Sequence, residues 1–203
     1  MDSATHPPRR DPPGRVKEFI FSRLHWNVLG ELSEIEVEDG VDENGTEKLS
    51  PFLSHPIAAE SIAQPPVSVA YVHSSDISAG VHFYMCTYGF EYKGFLIENT
   101  DGRPITVKDV VTGFHDHLDQ PWHKQILITY KKNAIPNPTG TAPVSATENT
   151  GRTQPPVIFL KHIHAQTLND RAWLNISTFL IGELGISVEE FWARRKANRL
   201  HLG

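Results

Sequence analysis

The chain carries eleven histidines, and two arrangements of them have spacings that bear on chemistry. His162 and His164 lie two apart in Leu160-Lys161-His162-Ile163-His164. On a strand both imidazoles face one side, which suits two ligands of a transition metal such as zinc. His115, His117, His123 or Asp119 would then supply a third ligand. His115-Asp116-His117 reads differently on a helix, where residues two apart do not share a face. There His115 and His117 flank opposite edges of an apolar stripe, and Asp116 points to solvent.

Nucleophilic chemistry has little support. Cys86, the single cysteine, sits in an aromatic run and reads as an inert core thiol. No Gly-x-Ser-x-Gly elbow and no glycine-rich phosphate loop occurs, and Gly80, Gly89, Gly94 and Gly102 are scattered as turn glycines. Without such a constellation the chain is not read as a conventional hydrolase, kinase or dinucleotide enzyme. The segment from Ser187 to Arg199 carries a second kind of signal. Ser187 and Glu190 have capping-box spacing, acids open the segment and bases close it, so a helix follows. Phe191, Trp192, Arg194, Arg195 and Arg199 make it a candidate docking helix for another protein, against the plainer reading of a solvated terminal helix. Its basic residues are too few to favour nucleic acid.

The elements that must position these residues follow from periodicity. Val67, Val69 and Tyr71 alternate with Ser68, Ala70 and Val72, as in a half-buried strand entered after Pro65-Pro66. After a loop over residues 74–80, Val81–Tyr88 and Phe90–Glu98 are aromatic and β-branched and read as adjacent antiparallel strands. Thr106 with Asp109 begins a helix whose stripe is Val107, Val110, Val111, Phe114 and Leu118, and Pro121 closes it. Val16–Trp26 admits helix or strand. So does Gln125–Tyr130, either as a strand or as part of a helix beginning near His123. Val157–Leu160 resumes the core, and Ile176–Ile181 favours strand by its β-branched content. The fold class is therefore α+β: an antiparallel-rich sheet, one amphipathic helix (106–119) packed on it, and a C-terminal helix.

Composition sets the organisation. The chain has 203 residues, 39% hydrophobic, with 15 prolines and a formal net charge of −5. That combination reads as one core diluted by unstructured segments. Residues 1–15, with four prolines and three arginines, read as a disordered tail. Residues 16–132 and 157–186 form a single α+β domain, 133–156 a disordered insertion, and 187–203 the basic helix. Eight acidic residues and no basic one lie between Glu31 and Glu47, read as a solvated loop. A single cysteine excludes an internal disulfide, and the first residues lack an apolar leader core. No apolar run is long enough to span a bilayer. These features point to the cytoplasm or nucleus.

Three pieces of the chain resemble a fungal family, the domain of unknown function 6699. They are Ala63-Gln64-Pro65-Pro66-Val67-Ser68-Val69, the segment from Pro104-Ile105-Thr106-Val107 to Leu118 and Pro121, and Arg171-Ala172-Trp173-Leu174 followed by Phe179 and Gly182. The likeness spans roughly residues 26–185. It departs over residues 133–156, at Glu183, and in the charged C-terminus. It implies a fold, supports strand over Ile176–Ile181, and implies no activity. Two readings of function result. One is a non-catalytic protein-interaction module, without cofactor, that uses the aromatic surface around Phe83–Phe95 and the C-terminal helix. The other is a metal-binding protein or metal-dependent enzyme built on His162 and His164, with His115 and His117 as further candidates.

Overall fold

Alternation and pairing account for the centre of the molecule. The computed structural model describes residues 15–43, 46–85, 91–133, 156–168 and 171–199. A four-stranded sheet is built from β6 (Val69–Ser74), β7 (Phe95–Glu98), β8 (Ile158–Leu168) and β9 (Arg171–Leu180), in the order β7-β6-β9-β8. β6–β7 and β8–β9 are antiparallel, whereas β6 runs parallel to β9, from Val69↔Arg171 to Ser74↔Ile176. The parallel pair is possible because three helices and two strands intervene before the chain returns. A three-stranded antiparallel sheet joins β2 (Leu24–His25), β3 (Glu36–Val41) and β4 (Glu47–Pro51), and β1 (Arg15–Val16) pairs with β5 (Ala63–Gln64). The architecture is α+β, with every strand pair antiparallel except β6–β9 among the described residues.

Helices α2 (Ser75–Met85), α3 (Val107–Leu118) and α4 (Pro121–Asn133) serve one face of the four-stranded sheet. That face carries Ala70, Val72, Ala172, Leu174 and Ile176, all buried. Val69, Tyr71 and His73 are only half-buried, so the alternation in this strand is real but the deeper face is the opposite one. α3 starts as its capping box requires: Asp109 N donates to Thr106 Oγ1 at 3.2 Å, and Thr106 N donates to Asp109 Oδ2 at 2.8 Å. Val107, Val110, Val111, Phe114 and Leu118 are all buried, and Gly113 brings the helix onto Phe95 and Ile97 of β7. Pro121 both closes α3 and occupies the first position of α4, where its missing N–H costs nothing. Gln125–Tyr130 is thus helix.

Two expectations are corrected. Residues 74–85 were expected as a loop leading into a strand, yet Ser75–Met85 is helix α2. Ser74 Oγ accepts from Ile77 N at 3.3 Å and caps it, and Ile77 and Val81 share its buried side. Gly80 lets α4 approach so closely that an added Cβ would lie 2.6 Å from Ile126 Cγ2. Packing against α4 overrides the β propensity of the aromatic run. The remainder of that run, with Cys86, lies outside the described residues. The acidic run is likewise no simple loop. Ile35 and Val37 are buried, β3 and β4 form a hairpin around them, and Asp42 closes its turn by accepting from Thr46 N at 2.8 Å. Most of the acidic side chains occupy the outward positions. Residues 1–14 and most of 133–156, expected to be disordered, also lie outside the described residues, as does the chain beyond Arg199.

Val16–Trp26 contains both alternatives: β1, then α1 (Glu18–Ser22), then β2. At the far end, α5 (Val188–Arg199) begins where Ser187 Oγ accepts from Glu190 N at 3.2 Å. One continuous core joins the elements, with Phe114 of α3 meeting the Trp26 ring edge-on at 5.8 Å. The ends of β6 and β9 are locked by a buried ion network. Lys131 Nζ reaches Thr178 O at 2.7 Å, Asp76 Oδ1 at 3.0 Å and Glu183 Oε2 at 3.2 Å. Asp76 Oδ2 in turn accepts from Thr178 N at 2.6 Å.

Candidate functional site

The candidate metal ligands do not converge. His162 and His164 do share a face of β8, and with Glu18 and Ser22 they line a recess of about 180 Å³. Glu18 Oε1 lies 3.7 Å from His164 Nδ1 but accepts from Ala165 N at 2.6 Å, sealing the strand edge. Burial holds His162 below the ordinary histidine pKa, with Lys161 adding to the effect. Among the described residues, ligand atoms of three His, Cys, Asp or Glu side chains come within 4.8 Å of one another in two places, His25–Glu38–Glu47 and His115–Asp116–Asp119. Neither includes His162, His164 or His117.

His115 and His117 part as helix geometry requires. His115 Nδ1 lies 3.7 Å from Asp116 and 3.9 Å from Asp119, both exposed. His117 turns inward to an aromatic corner. It stacks on His123 at 3.9 Å and on Phe95 at 4.5 Å, and its Nε2 lies 3.0 Å from the Tyr92 hydroxyl. His123 Nδ1 lies 2.8 Å from the His117 carbonyl, so that nitrogen carries a proton and donates it. Burial, aided by the neighbouring His123, pushes His117 down to about 4. Burial also lowers His123 and raises the Tyr92 hydroxyl. The corner is a neutral packing joint between α3, α4 and β7.

The C-terminal helix spends its candidate residues on its own domain. Phe191 is buried and stacks on Phe179 at 4.5 Å, with Phe159 at 5.8 Å. Trp192 lies flat on His25 at 4.0 Å. Arg195 is buried, donating to Leu160 O at 2.6 Å and Phe21 O at 2.7 Å, and so ties β8 and α1 to α5. Arg194 is exposed and pairs with Glu190 one turn earlier. The Arg199 side chain lies outside the described residues. A partner that took Phe191, Trp192 and Arg195 would have to strip α5 from the domain. Phe83 of the other expected surface is exposed on α2, not on a strand.

What does face outward is a row across the four-stranded sheet. Cα pairing puts Leu96, Tyr71, Trp173 and Gln166 side by side on β7, β6, β9 and β8. Paired residues project from the same side of a sheet. Leu96 is 54% exposed and Trp173 39%, and the Tyr71 and Trp173 rings are 4.6 Å apart. The next row holds His73, Asn175 and His164, with His73 Nδ1 3.4 Å from Asn175 Oδ1. On the other flank lie Glu98, Val69 and Arg171. α5 covers this face only at the far end, over Phe159 and Phe179. Beside the β8 margin a groove of about 530 Å³ runs between Arg15–Phe19 and Ala165–Gln166, with Phe19 exposed. Sequence reasoning missed this row because Tyr71 and Trp173 lie about a hundred residues apart. The alternation around Tyr71 was its one local signal.

No family model, curated protein or solved structure matches this chain. No helix among the described residues is long and apolar enough to cross a membrane.

Proposed function

We propose that this chain is a non-catalytic protein-interaction module of the cytoplasm or nucleus that receives its partner on the outward face of the four-stranded sheet. The observation that carries the reading is the Leu96–Tyr71–Trp173 row. Large apolar side chains that the fold leaves in water, set among polar neighbours, mark an interaction surface better than isolated exposed residues do. The titratable clusters support it by their chemistry: the aromatic corner and the Lys131 network are closed packing and ion-pair devices. The resemblance to the fungal family belongs to the same proposal.

Quantitative affinity capture from the native cell tests it with wild type, Trp173→Ala and Arg194→Glu. A partner recovered by wild type and Arg194→Glu but depleted about tenfold by Trp173→Ala is the expected result. Equal recovery by all three would sink the proposal.

A further inference from the structure

Around the β2–β3–β4 sheet a histidine meets a carboxylate twice, and the two meetings differ. His55 Nε2 lies 2.7 Å from Asp39 Oδ1, an ordinary charge-assisted hydrogen bond. His25 Nε2 stops 3.8 Å from Glu38 Oε2, beyond hydrogen-bond reach. Glu47 completes the second group, and ligand atoms of His25, Glu38 and Glu47 all lie within 4.8 Å of one another. Zinc bonds of about 2.0–2.2 Å set tetrahedral ligand atoms roughly 3.4 Å apart. The His25–Glu38 separation is thus nearer to that of two ligands around an ion than to that of a hydrogen bond.

The scaffold is a rigid one. His25 comes from β2, Glu38 from β3 and Glu47 from β4, three strands hydrogen-bonded in that order. All three residues are half-buried, with the Glu38 side chain only 10% exposed. Trp192 of α5 lies flat on the His25 ring, with the two planes 5° apart, and holds its orientation. The other grouping, His115–Asp116–Asp119, lacks this support: it stands on one turn at the end of α3, and both carboxylates are about two-thirds exposed.

The surrounding charges favour a cation. Glu36, paired with His25 across β2 and β3, adds a further carboxylate nearby. Arg23 turns to Asp39 at 3.2 Å, and Arg195 donates to Leu160 O and Phe21 O. Lys48 follows Glu47 on β4 and projects from the other face of the strand. Lys196 of α5 does reach the group, its Nζ 3.1 Å from Glu47 Oε1. Its side chain is 48% exposed, however, and so solvated an ion pair is weak and readily displaced. One imidazole nitrogen and two carboxylate oxygens suit zinc, with water in the fourth tetrahedral position.

We propose that His25, Glu38 and Glu47 bind a zinc ion that ties β2, β3 and β4 together, and that the Lys196 ammonium competes with it for Glu47.

The test is calorimetric titration of zinc chloride into the full chain after treatment with a chelator, on wild type and on variants verified as folded by circular dichroism. Expected is one equivalent of zinc that raises the melting temperature. Glu38→Gln and Glu47→Gln each weaken its binding by about tenfold or more. His115→Ala and His164→Ala leave the affinity unchanged, and Lys196→Ala tightens it by freeing Glu47. Glu47 is the more exposed carboxylate, so Glu47→Gln alone decides the matter if Glu38→Gln fails to fold. Four outcomes overturn the site: no stoichiometric zinc, binding indifferent to Glu38→Gln and Glu47→Gln (an adventitious ion only), binding lost in His115→Ala or His164→Ala, or binding weakened in Lys196→Ala.

Discussion

At the scale of single residues, Lys131 is a side chain that the fold cannot replace cheaply. It is buried, and its ammonium answers two carboxylates and a carbonyl. Lys131→Ala leaves Asp76 and Glu183 largely buried and unpaired, which costs about 3–5 kcal/mol. Urea denaturation followed by circular dichroism is expected to show a loss of that size, and a change within about 0.5 kcal/mol would refute the network's role. His117 sets an acid limit. Its folded pKa, about 4, lies below the ordinary value of 6.5, so the fold holds it neutral while the unfolded chain takes up a proton. Its contribution is complete above pH 6.5 and is lost as pH falls through that window toward 4. His123 and His162 shift in the same direction. His117→Phe is therefore expected to flatten the decline of stability between pH 6.5 and 4. An unaltered slope in denaturation at stepped pH would contradict this.

At the scale of elements, α5 is a structural closure. Phe191 completes an aromatic stack with Phe159 and Phe179, and Arg195 bonds two carbonyls from different elements. Phe191→Ala is expected to destabilise the domain by about 3–5 kcal/mol, whereas exposed Arg194→Ala stays within about 0.5 kcal/mol. Thermal melts of the two variants make the comparison, and equal melting temperatures would show that α5 is merely appended. α3 and α5 were legible in the sequence because caps and apolar stripes are local signals, read within a dozen residues. α2 was not. Its aromatic and β-branched residues suit a strand, and the close packing of Gly80 on Ile126 and Tyr130, which no local pattern announces, favours the helix. The β3–β4 hairpin hid for a related reason: two buried positions, Ile35 and Val37, were outvoted by the charges around them.

At the scale of the whole molecule, the α+β class could be read from periodicity, but the candidate site could not. Strand pairing across the sheet is a long-range choice. Nothing local to Tyr71 or to Trp173 says that they will meet, just as nothing local to His162 says that no third ligand arrives. The parallel β6–β9 pairing has a further consequence, for synthesis. His73 and Asn175 are 102 positions apart, so a ribosome adding roughly 5–20 residues per second takes on the order of 5–20 s to deliver the second strand after the first. Through that interval β6 has only β7 to pair with and keeps one long margin open in the nascent chain. The strand that later sits at the centre of the sheet begins as its edge.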